Sequence, residues 1–242
     1  MTLEVWNSQR LFLQLLTKSK GNLEGNGACC NEMDIWEANA RATQIAPHTC
    51  NQTGLYECSG EECAFNGVCD KNGCGYNPYV LGNKEYYGPN FTVDTSRPFT
   101  VVTQFPADEN GVLKEIRRLY VQDGEVIANA AVNITGPPSV DYIDDEYCTA
   151  TGATRFMELG GNAEMGQALS RGMVLVFSIW WDEGGYMNWL DSGNSGPVRN
   201  FSSSFVTVQS SFECTQDPMQ DSRVAFLITI ILFFSLISQG LI

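Results

Sequence analysis

Five of the nine cysteines crowd between Cys50 and Cys74, with spacings C-x7-C, C-x4-C, C-x5-C and C-x4-C. Spacings this tight read as a disulfide framework, and a disulfide framework implies an oxidising compartment. Zinc is the competing use of such a cluster. Against it, His48 is the only histidine and no paired C-x2-C knuckle occurs. Sequons at Asn51, Asn90, Asn133 and Asn200 agree with passage through a secretory pathway.

A chain of 242 residues is long enough for one domain with a real core. Glycine is plentiful (23), aromatic residues make up 11% and charged residues only 17%. Few stretches hold a helical apolar period, so the expectation is β-structure with many turns. The net charge of −14 argues against nucleic acid or an anionic membrane surface as partner, since both attract basic patches. A neutral polymer fits better, although an acidic surface also keeps any secreted protein soluble.

The ends are less regular. Met1 to Gly21 carries only the short apolar run Leu11 to Leu16, interrupted by Gln14, and no small-residue cleavage site. Val224 to Ile242 has no charged residue and reaches the length of a membrane span. A tail anchor, a cleaved lipid-anchor signal and translation past the true coding end all fit that tail. Between the ends there is no repeat and no Ser/Thr/Pro-rich linker. Strands are expected over Glu32 to Trp36, Phe99 to Phe105, Leu113 to Gln122 and Met173 to Trp181, with a hairpin turn at Asp123-Gly124. Asn162 to Arg171 is the best short helix.

The chemistry concentrates in Glu32-Met33-Asp34-Ile35-Trp36-Glu37-Ala38-Asn39. In a strand, residues two apart share a face, so Glu32, Asp34 and Trp36 are expected to point into one groove while Met33 and Ile35 face the core. Glu37 then has the wrong parity. It joins the groove only if the strand bulges near Trp36, and that irregularity is predicted. Like charges in a poorly hydrated cleft push at least one carboxyl toward its neutral form. Glycoside hydrolysis needs that asymmetry, with one carboxylate ionised and its partner protonated. On this reading Glu32 is the nucleophile, Asp34 orients it, and Glu37 is the acid/base. A solvated acidic strand is the alternative. His48 is either a supporting partner of these acids or a loop histidine held by its turn. Flat aromatics beside short polar groups suit sugar rings, and Trp36, Trp180, Asp182 and Trp189 are candidates to bind them.

These residues resemble glycoside hydrolase family 7, the cellobiohydrolases and endoglucanases of cellulose-degrading fungi. The resemblance rests on Cys29-Cys30-Asn31 leading into Glu32 to Asn39, on Pro47-His48-Thr49-Cys50, and on the stretch Cys69 to Tyr79. Gly172 to Trp180 and Tyr186 to Ser192 complete it. It implies an all-β fold, a curved antiparallel β-sandwich of the jelly-roll (concanavalin-like) type. It covers Gly21 to roughly Pro197, about the second half of a family catalytic domain, so the sandwich is expected to be incomplete. The implied layout is residues 1–21 unassigned, 22–200 the C-terminal part of the catalytic domain, 201–223 divergent and 224–242 the apolar tail.

The resemblance also implies roles: nucleophile Glu32, assisting carboxylate Asp34, acid/base Glu37 and supporting histidine His48, with Trp180 and Trp189 lining the cleft. It implies bridges Cys50 to Cys69, Cys58 to Cys63 and Cys74 to Cys148. No metal and no cofactor is implied, and the expected partner is a cellulose or other β-glucan chain bound by a secreted monomer. The loop from Cys63 to Cys69 and the turn Ser192 to Pro197 are shorter than in tunnel-forming members, which favours an endoglucanase over a cellobiohydrolase. Two further readings stay open: a family 16 type β-1,3(4)-glucanase, which shares E-x-D-x-x-E, and an inactive glucan-binding fragment, either free or tethered to a membrane by the 224–242 tail.

Overall fold

The computed structural model describes residues 26–54, 56–173, 175–178, 187–191 and 206–209. The strands are β1 (Asn26–Cys29), β2 (Glu32–Ala38), β3 (Thr43–His48), β4 (Tyr56–Ser59), β5 (Tyr87–Gly88), β6 (Val93–Asp94), β7 (Thr100–Gln104), β8 (Ile116–Gln122), β9 (Glu125–Ala128), β10 (Tyr142–Ile143), β11 (Val176–Ser178) and β12 (Val206–Gln209). Short helices α1 (Asp145–Ala150), α2 (Thr154–Glu158), α3 (Gly161–Arg171) and α4 (Asn188–Asp191) join them.

Two four-stranded sheets dominate. One runs β11-β12-β2-β3, and the other runs β10-β8-β7 with β9 also paired to β8. Met33, Ile35, Trp36, Ala38 and Ile45 from the first meet Val101, Ile116, Tyr120 and Ile143 from the second in one buried cluster. The result is an antiparallel β-sandwich of the jelly-roll type. Strand β8 shows how sequence sets the layer: Ile116, Arg118, Tyr120 and Gln122 are buried, and the residues between them are more exposed. Its hairpin to β9 turns at Asp123 (φ 53°) and Gly124 (φ 84°), with Gln122 opposite Glu125. Two consecutive positive φ values match the twist of the flanking strands, which is why Asp-Gly sits there.

Helices α1, α2 and α3 pack on one another, and α3 touches β3. Asp144 caps α1 by accepting from the Tyr147 backbone N–H at 2.7 Å. Tyr147 in turn donates to the Gly75 carbonyl at 2.8 Å, and its ring lies 5.1 Å from that of Tyr76. Burial pushes the phenols of Tyr76, Tyr86, Tyr87 and Tyr147 above their ordinary range, and Tyr76, Tyr86 and Tyr147 donate to backbone carbonyls.

Bridges join Cys50 to Cys69, Cys58 to Cys63 and Cys74 to Cys148, the same pairs that the resemblance implies. Asn51, Asn90 and Asn133 are exposed, whereas Asn200 lies outside the described residues. Among the described residues no helix is long and apolar enough to cross a membrane, and residues 1–25 and 224–242 lie outside them.

Candidate active site

Strand β2 lies between β12 and β3 and is buried along its whole length. Its register with β3 sets Glu32 opposite His48, Met33 opposite Pro47 and Asp34 opposite Ala46, then slips, so that Glu37 faces Gln44. Between these pairs, Ile35 and Trp36 on β2 oppose Ile45 alone on β3. Two residues against one is a β-bulge. On β3, Gln44, Ala46 and His48 alternate onto one face. The bulge therefore sets Glu32, Asp34 and Glu37 on the face of His48.

The same extra residue corrects one expectation. Trp36 does not share the groove with the acids; it packs in the core with Ile35, its ring edge-on to Phe99 at 6.1 Å. A strand that gains a residue reverses parity beyond it, so bringing Glu37 to the acidic face turns Trp36 away. The backbone at the bulge has its own support. The guanidinium of Arg118, buried on β8, donates to the Ile35 carbonyl, and burial pushes its pKa down.

The three carboxyls are withdrawn from water, with exposures of 8% for Glu32, 3% for Asp34 and 6% for Glu37. His48 Nε2 lies 3.2 Å from Asp34 Oδ2, and its Nδ1 lies 4.0 Å from Asp70 Oδ2. Asp70 is held in turn by the backbone N–H groups of Asn72 (3.0 Å) and Gly73 (2.8 Å). Gly73 has φ +69°, and a Cβ there would fall 2.7 Å from His48 Cε1. Only glycine allows that turn to lie against the imidazole. At the other end of β2, Glu37 Oε2 accepts from Gln44 Nε2 at 3.1 Å.

Asn31 leads into the site: its Oδ1 accepts from the Cys50 N–H at 2.8 Å and its Nδ2 donates to Glu164 on α3 at 3.3 Å. Beyond Glu37, Asn39 donates to Asp191 at 3.1 Å, and Asn77 donates to the Leu190 carbonyl at 2.8 Å. The first bond ties α4, and Trp189 with it, to the end of β2, and the second ties it to the segment that follows Tyr76. Trp189 is partly buried beside Ala42 and Leu190. Trp180 and Asp182 lie outside the described residues.

Sequence reasoning missed Gln44, Asp70 and Arg118. Asp70 had a local signal, an Asp three residues before a Gly inside Cys69 to Cys74. Arg118 had a weaker one, a cation at an inward position between Ile116 and Tyr120. Among the described residues no cluster of His, Cys, Asp and Glu suits a metal ion.

The family model for glycosyl hydrolase family 7 matches residues 12–225. Endoglucanase 1 of Humicola insolens is 61% identical over 188 residues, which cover 77% of this chain and 47% of the relative. The native structure of Humicola insolens endocellulase EGI superimposes with a TM-score of 0.72 at 55% identity, covering 78% of this chain and 51% of that one. The cellobiohydrolase of Melanocarpus albomyces, solved with cellotetraose, gives 0.65 at 32% identity, covering 77% and 50%. The chain thus spans about half the length of the curated relatives it matches. The likeness to an endoglucanase is the stronger. A bulged strand bearing Glu32, Asp34 and Glu37 beside His48, on a jelly-roll sandwich, agrees with the family match, and the chain belongs to glycosyl hydrolase family 7.

Proposed function

We propose that this chain hydrolyses internal β-1,4-glucosidic bonds of cellulose or mixed-linkage β-glucan with retention of configuration. The observation that carries the proposal is the slip between Asp34 and Glu37, which gives two glutamates and an aspartate one shared face. Glu32 attacks the anomeric carbon while Glu37 gives its proton to the departing glycosidic oxygen, leaving a covalent glycosyl-enzyme. Glu37, now ionised, takes a proton from water, and the resulting hydroxide displaces Glu32 and restores both groups.

Asp34 keeps Glu32 oriented, and His48, between Asp34 and Asp70, fixes Asp34 in turn. Burial supports this division of labour, because three acids with little access to water cannot all be ionised cheaply. Trp189, and Trp180 with Asp182, supply the sugar-binding surface. The enzyme acts outside the cell as a monomer: the three bridges suit an oxidising compartment, and Asn51, Asn90 and Asn133 are exposed for glycosylation.

The endo reading rests on the stronger likeness to endoglucanases and on the short loop between Cys63 and Cys69. That loop is drawn in by Arg155, which donates to the Asn66 and Gly67 carbonyls. It predicts how a soluble substrate breaks down. Carboxymethylcellulose treated with the full chain should lose most of its viscosity while only a small share of its bonds has yielded reducing ends. Reducing sugar released in step with a slow loss of viscosity would mean attack from chain ends. A folded chain that binds β-glucan and cuts neither it nor carboxymethylcellulose would leave the glucan-binding reading instead.

A further inference from the structure

We infer that Gln44 is a positioning residue that holds the Glu37 carboxyl and biases it toward its ionised form. The inference rests on the reading of Glu37 as acid/base and deepens it.

Three observations place Gln44. It stands opposite Glu37 in the first register pair after the bulge. Its Nε2 lies 3.1 Å from Glu37 Oε2. Its amide is also backed on the far side: a Cβ on Gly75 would come within 3.2 Å of both Cδ and Oε1 of Gln44. That glycine is locked beside β3 by Ile45 N–H to the Tyr76 carbonyl (3.2 Å) and Tyr76 N–H to the Ile45 carbonyl (2.8 Å). The Gln44 side chain is thus confined between Glu37 and a segment with no side chain of its own at that point.

The chemistry of an amide suits a carboxyl that must change state within each turnover. A lysine or arginine opposite Glu37 would hold it ionised, and a second acid would hold it neutral. A neutral amide does neither outright. Its N–H stabilises the carboxylate, and its carbonyl oxygen is able to accept from the protonated acid. With Nε2 facing Glu37, the bond opposes the upward push of Glu32 and Asp34, so it keeps the acid from being too weak to give its proton away.

The test reads Glu37 directly and needs no turnover. In the full chain labelled with ¹³C-carboxyl glutamate, the Glu37 signal is the one lost in Glu37→Gln, and its chemical shift is followed against pH. In Gln44→Leu the midpoint should rise by about one pH unit, from loss of a charge-assisted bond. In Gln44→Glu it should rise further, because a like charge replaces a donor. Gln44→Glu preserves the size of the side chain, so it carries the test if Gln44→Leu fails to fold. An unchanged midpoint in the folded variants would overturn the inference. Hydrolysis by Glu37→Gln separates the two readings. Full activity there would refute Glu37 as acid/base whatever the titration shows, whereas an inactive Glu37→Gln with flat titrations in the Gln44 variants would refute only the role of Gln44.

Discussion

Replacing Glu32 by Gln is expected to lower kcat on carboxymethylcellulose by at least about 10³-fold without weakening the fold. The substitution keeps the side chain's volume, and it keeps the register pair with His48 that places the residue. On the proposed mechanism it removes the ionised oxygen that attacks the sugar, and the neighbouring carboxylate Asp34 is already engaged by His48 at 3.2 Å. Losing a group that acts as a unit with its partners costs nearly the whole of their joint effect, hence the size of the loss. Stability should move the other way. Glu32, Asp34 and Glu37 are all less than one tenth exposed, so taking one charge from this face relieves repulsion. Thermal unfolding should occur at the wild-type temperature or a few degrees above it. A variant that unfolds well below wild type would mean that Glu32 serves the fold and not the chemistry.

Removing the Cys74 to Cys148 bridge, by changing both residues to Ser, is expected to cost about 4 kcal/mol. The two cysteines are separated by 74 positions, and the chain-entropy cost of closing a loop grows with the logarithm of its length. Removing Cys58 to Cys63, separated by 5, should cost only about 2 kcal/mol on the same basis. In a protein of this size the larger loss lowers the midpoint of thermal unfolding by about 10 °C. The longer bridge also ties the site to the core: Cys74 follows the Asp70 to Gly73 turn that lies against His48, and Cys148 sits in α1 beside Tyr147. Calorimetry on the two double variants would test this, and equal losses would show that loop length does not govern the difference.

Strand β2 was the most legible part of the chain, and the reason is parity. Glu37 falls on the wrong face of a regular strand, so a chemistry that needs it beside Glu32 demands an extra residue, and the bulge lies between Asp34 and Glu37. The same logic carried one step further would have turned Trp36 into the core. The error lay in keeping the regular alternation up to Trp36 and breaking it only afterwards. Local signals were sufficient for the Asp123-Gly124 hairpin and for α3, because turn chemistry and helical spacing act within a few residues.

The rest of the site depends on contacts distant in sequence. Arg118 reaches Ile35 across 83 positions, and its role follows only from the packing of the second sheet on the first. Gln44 lies near Glu37 in the chain, but the slip decides which residue of β3 faces that carboxyl. Without the bulge, Glu37 would face Thr43 and not Gln44. Trp180 and Asp182, read as sugar-binding from composition and resemblance, lie outside the described residues.

The claim that Glu32 and Glu37 act as a nucleophile and acid/base pair makes a stereochemical statement. ¹H NMR of the first products released from a soluble cello-oligosaccharide, recorded before mutarotation, reads it directly. The new reducing end should appear as the β-anomer and decay toward equilibrium. A first product in the α form would mean single displacement by water, and no cleavage at all by the folded chain would contradict the hydrolytic role of the two glutamates.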